Sequence, residues 1–112
     1  MMAVEINVTG EVVTAYISGE LDHHSARFIR EEIDSAVEFN MPTLLILNFE
    51  GVSFMDSSGL GLILGRFTKA TELGIVFKVQ NPTPQIKRIL DLAGTERLVK
   101  IENNSQRRQT VR

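Results

Sequence analysis

The chain has 112 residues, 43% of them hydrophobic and 23% charged, with a formal net charge of −2 and no cysteine. That length suits one domain with its own core, and the composition excludes global disorder. No apolar run approaches the ~20 residues of a membrane span, no secretory-type leader opens the chain, and the lack of cysteine fits a reducing, cytoplasmic compartment without disulfides or thiolate metal sites.

Val4, Ile6 and Val8 alternate with polar residues, and so do Val13, Ala15 and Ile17. The two runs predict an antiparallel hairpin turning near Thr9-Gly10-Glu11. Gly19 is expected to break the second strand, and Glu20-Leu21-Asp22 to lead into a helix capped by Asp22. Ala26, Ile29, Ile33, Ala36 and Val37 give that helix one apolar stripe. Arg27, Arg30, Glu31, Glu32, Asp34 and Glu38 are left outside. Asn40-Met41-Pro42 should stop it.

Leu44 to Leu47 is a continuous apolar run, which predicts a strand over Thr43–Asn48 buried on both faces. A loop carrying Ser57 and Ser58 is expected next. Asp56 would cap a second helix reaching Leu73-Gly74, with Leu60, Ile63, Leu64, Phe67 and Thr71 at helical spacing and a Met55–Leu60 staple. Ile75–Val79 predicts another strand. Asn81-Pro82-Thr83-Pro84 turns the chain into a third helix, with Ile86, Ile89, Leu90 and Ala93 inward and Gly94 at C′. Leu98, Val99 and Ile101 offer a short last strand.

The order β-β-α-β-α-β-α-β implies an α/β domain. Its mixed sheet begins with a hairpin, the crossovers are right-handed, and the helices lie mainly on one face. Residues 103–112 hold three arginines and no acid, so they read as a solvated basic tail on a domain spanning 1–102. The domain then carries 9 basic and 14 acidic groups, a net of −5, which argues against direct nucleic-acid binding.

Several chemistries can be weighed against Ser53-Phe54-Met55-Asp56-Ser57-Ser58-Gly59-Leu60-Gly61. A hydrolase elbow needs glycine two residues before and two after its serine, and neither Ser57 nor Ser58 has that. Gly59, Gly61 and Gly65 are spaced GxGxxxG rather than as a dinucleotide fingerprint, and the simpler reading is that Gly61 and Gly65, four apart, let the helix lie close to the sheet. His23 and His24 are adjacent on an incipient helix and point about 100° apart, which suits exposed side chains better than shared metal ligands. A hydroxyl in a first helical turn is otherwise a cap or a target for modification. Phosphate on Ser58 would add about −1.5 to −2 charges there, tolerated by the helix dipole but obstructive to a partner shaped for the hydroxyl.

Gly19-Glu20-Leu21-Asp22-His23-His24, Phe54 to Arg66 and Asn81-Pro82-Thr83-Pro84 together resemble the anti-sigma factor antagonists of the STAS family, over about residues 3–101. The His-His pair after Glu-Leu-Asp points to the sporulation branch. The resemblance implies a binding protein with no catalytic activity. No cofactor or metal is expected, and a monomer is the simpler expectation for the isolated chain. Its partner would be an anti-sigma factor that is also a GHKL-type serine kinase. Unphosphorylated antagonist binds that kinase and releases the sporulation sigma factor; phosphorylation of Ser58 ends the interaction, and a PP2C-type phosphatase restores it. Carried over, Glu20, Leu21, Asp22, His23 and His24 complete a docking surface beside Ser58, together with Asp56, Ser57, Gly59 and Gly61. The rivals are a STAS module serving another kinase or binding a nucleotide in a sensor complex, a small serine hydrolase, and a plain scaffold.

Overall fold

Among residues 3–103, which the computed structural model describes, five strands and three α-helices follow the anticipated order, with one added 3-10 turn. They are β1 (Ala3–Thr9), β2 (Val12–Leu21), α1 (His23–Asn40), β3 (Leu44–Met55), α2 (Ser57–Glu72), β4 (Val76–Gln80), α3 (Pro84–Leu92) and β5 (Lys100–Glu102), with the 3-10 turn at Thr95–Arg97. The strands lie in the sheet in chain order. β1 and β2 are antiparallel and every later pair is parallel. Three right-handed crossovers moving one way across a sheet put all three helices on one face.

The core bears this out. Val13, Ala15 and Ile17 of β2, Leu45, Leu47 and Phe49 of β3, and Phe77 and Val79 of β4 share one cluster with Ile29 and Ile33 of α1, Ile63 of α2 and Leu90 of α3. Ile46 lies between Leu45 and Leu47, faces the other way, and is still buried, so β3 is covered on both sides as its apolar run requires. On the helix-free face a polar row crosses the sheet. The Asn48 amide donates to Gln80 Oε1 at 3.2 Å, and the Gln80 amide donates to Glu102 Oε2 at 3.1 Å.

Four expectations are corrected. Gly19 does not end β2: its φ of +87°, a conformation glycine adopts freely, sits at a register irregularity, and the strand continues to Leu21. No loop precedes Ser57, because β3 runs on to Met55, with Glu20 paired to Phe54 and Leu21 to Met55. The buried line of α2 is Gly59, Leu62, Ile63, Arg66 and Ala70, while Leu60 and Phe67 are partly buried at its flank and Thr71 is exposed. On α1 and α3, Asp34 is only partly exposed, because it pairs with Arg66, and Ala93 is exposed at the α3 C-cap. The tail expected from residue 103 lies, beyond Asn103, outside the described residues.

Candidate functional site

Two helices begin side by side at one rim of the sheet, and their caps make the site. At the start of α1 the Asp22 carboxylate accepts the N–H groups of His24 at 3.0 Å and Ser25 at 3.1 Å. Ser25 Oγ accepts the Asp22 N–H at 3.1 Å and donates to the Glu20 carbonyl at 2.9 Å, closing a capping box. The Ser25 N–H holds the Asp22 carboxyl below its ordinary range, aided by the His24 N–H. At the start of α2, Asp56 accepts the Ser58 N–H at 2.8 Å. The two starts are joined: the Asp56 N–H donates to the Leu21 carbonyl at 3.2 Å. Parallel strands ending level at one edge therefore bring residues 20–24 beside Ser58, as the topology predicts.

The placements sort into surface and support. Glu20, His23, His24, Ser57 and Gly61 are exposed, and Asp22, Asp56 and Ser58 are half-buried. Leu21 and Gly59, expected at the docking surface, are buried beneath it. A Cβ on Gly59 would overlap Met55 Cγ and Sδ and stand 3.2 Å from Leu21 Cδ2. Glycine there lets the first turn of α2 settle on the end of β3. Gly61 and Gly65, expected to press the helix on the sheet, do not: a Cβ on either meets nothing within 4 Å. They open outward instead. The His23 and His24 rings are 4.0 Å apart between centroids and tilted by 37°, closer than a 100° step along a helix suggests.

The space left by the bare glycines is a groove of about 350 Å³ between α1 and α2. Ser58, Gly61 and Gly65 line its α2 side at helical spacing, and His23, Arg27 and Arg30 line its α1 side. Arg66 completes the lining, and Arg66 Nε stands 2.9 Å from Asp34 Oδ1. Burial pulls the Arg66 guanidinium below the usual arginine range, Asp34 opposes that, and the nearby Arg30 charge adds to it. No hydrogen bond joins the Ser58 hydroxyl to either histidine among the described residues. The arginines were missed because each taken singly reads as solvated surface. The signal available was the match of two stripes, 23/27/30 on one helix and 58/61/65 on the next.

The chain is similar to known proteins in both sequence and fold. The STAS-domain family model matches residues 3–107. The chain is 40% identical to an anti-sigma F factor antagonist of Lysinibacillus sphaericus over 87 residues, 78% of this chain and 74% of that protein. A second anti-sigma F factor antagonist, from Paenibacillus polymyxa, is 33% identical over 92% of this chain and 88% of its own length. Among solved structures, the anti-sigma factor antagonist SpoIIAA in its unphosphorylated form superposes with a TM-score of 0.78 at 34% identity, covering 97% of this chain and 96% of that one. The Bacillus cell fate determinant SpoIIAA in its phosphorylated form gives 0.72 at 34% identity, covering 98% of this chain and 100% of that one.

Proposed function

This chain belongs to the STAS-domain family, and from that premise we propose that it is an anti-sigma factor antagonist switched by phosphorylation of Ser58. The observation that carries the reading is the joint surface of the two helix starts. Ser58 stands half-exposed in a turn held by Asp56, beside the Glu20–His24 connection that is hydrogen-bonded to it. That two relatives are anti-sigma F factor antagonists, and that a solved relative exists in a phosphorylated form, supports it.

In the unmodified state, Glu20, Asp22, His23, His24, Asp56, Ser57, Ser58 and Gly61 form the face presented to an anti-sigma factor, with Leu21 and Gly59 shaping it from below. The anti-sigma factor is also a serine kinase of the GHKL type. Its capture frees the sporulation sigma factor. In the switching step Ser58 Oγ bonds to the γ-phosphorus of ATP as the bond to ADP breaks, and the hydroxyl proton passes to a base of the kinase. The product carries about −1.5 to −2 charges where a neutral hydroxyl had been docked. Burying that charge costs several kcal/mol, and ~2.7 kcal/mol already weakens binding about 100-fold. A PP2C-type phosphatase hydrolyses the ester and returns the hydroxyl. The chain itself contributes no catalytic group, and it acts in the cytoplasm.

The test is incubation with an anti-sigma F factor kinase and ATP, followed by phosphopeptide mass spectrometry of wild type and Ser58→Ala. One phosphate on Ser58, absent from the variant, is expected. No phosphate, or one on Ser57, returns the chain to a STAS module with another kinase or a nucleotide ligand. Ester hydrolysis lost in Ser58→Ala would establish a hydrolase instead.

A further inference from the structure

We infer that phosphoserine at position 58 is clasped by its own chain, through Arg27 and Arg30 across the groove between α1 and α2. The inference rests on the reading of Ser58 as the phospho-acceptor and extends it to what the phosphate does once attached.

Ser58 lines the groove directly, and the bare Gly61 and Gly65 leave room along the same side of α2. Facing that space from α1 are His23, Arg27 and Arg30, with Arg66 at the α2 side. The acids close enough to compete are already engaged or lie at the margin. Asp34 pairs with Arg66 at 2.9 Å, Asp56 caps α2 through the Ser58 N–H, and Glu31 meets Arg27 only at 3.7 Å in an exposed pair. Arg30 makes no ion pair among the described residues. The groove therefore holds uncompensated guanidinium charge on an otherwise acidic domain. Guanidinium forks match phosphate oxygens in geometry and are the preferred side chains for such contacts. A phosphate on Ser58 would enter that space and draw both arginines onto itself, so the modified face closes on its own helices as well as gaining negative charge.

The experiment uses the full chain with phosphoserine encoded genetically at position 58, so no kinase is needed. Phosphorus NMR then follows its second ionisation. Free phosphoserine ionises near pH 6, and two nearby guanidiniums should lower that by about one unit. The double variant Arg27→Ala/Arg30→Ala should restore the ordinary value. Gly61→Leu should do so too, by filling the groove without altering charge, while Arg88→Ala on α3 should leave the shift intact. The shift should also persist on tenfold dilution. An unshifted phosphate, a shift indifferent to the groove variants, or one lost on dilution would overturn the clasp. Failure here would leave phosphorylation by the kinase to its own test, whereas failure there would remove the modification on which the clasp depends, whatever the encoded phosphoserine shows.

Discussion

Asp22 and Asp56 perform the same task at two helix starts, and the donors gathered on Asp22 favour its charged form. The backbone N–H groups of His24 and Ser25 converge on it. Because folding lowers its pKa, the stabilisation it gives is complete above the ordinary aspartate range and disappears as pH falls through the lower folded value. Asp22→Asn should therefore melt below wild type at pH 7, and the gap should narrow at an acidic pH below the ordinary aspartate range. Urea melts at the two pH values give the comparison, and a gap that fails to narrow would contradict the assignment. Gly59 and Gly61, two residues apart, should respond to alanine with opposite sign. Gly59→Ala must push aside buried Met55 and should cost about 1–3 kcal/mol. Gly61→Ala enters open space in a helix and should stabilise by up to about 1 kcal/mol. Thermal melts that move both variants the same way would refute this reading of the helix packing.

At the scale of elements, α1 and α2 are tied by two ion pairs that neither helix announces, Lys69–Glu38 nearer the surface and the more sheltered Arg66–Asp34. The Arg66 side chain is 10% exposed and Asp34 23%, so the pair is well sheltered from water. Removing one partner strands the other. Asp34→Ala should cost about 1–3 kcal/mol by leaving a buried guanidinium unpaired. Adding Arg66→Met to that variant should recover much of the loss, since a hydrophobic side chain of similar length needs no partner. Denaturant midpoints for the two variants decide it, and a double variant no more stable than Asp34→Ala alone would show that the buried charge is not the cause. The helix starts and stops were legible because they are local chemistry: Asp22 and Asp56 accept their own first-turn N–H groups, and Thr83-Pro84 and Met41-Pro42 mark a start and an end. The second half of β3 was not. Between Tyr16 and Leu21 of β2 the partner strand uses two extra residues, so its buried side chains fall at Phe49, Val52 and Met55. A spacing of three carries no strand period, and the stretch reads as a loop. The facing of α2 was equally hidden. Leu60, Leu62, Ile63, Leu64 and Phe67 surround more than one side of the helix, and only Met55 beneath Gly59 and Asp34 opposite Arg66 select the orientation.

For the whole molecule, the proposed switch acts at a rim and leaves the core untouched. Ser58 belongs to a first helical turn, where negative charge is tolerated, so Ser58→Asp should abolish capture of the anti-sigma factor while the circular dichroism spectrum is unchanged. A collapsed spectrum would mean that Ser58 maintains the fold rather than the docking surface. Retained binding would remove the charge argument. The sequence by itself determined the alternation of strands and helices, the caps, the buried central strand and the serine at a helix start. Those follow from hydrophobic period and from hydrogen bonds made within a few residues. Only the tertiary structure decided which side chains share a surface. It buried Leu21 and Gly59, paired Arg66 with Asp34, and set Arg27 and Arg30 along the same groove as Ser58. Those outcomes depend on how far one strand slips past another and which way a helix is rolled, and neither is written in the spacing of a single element.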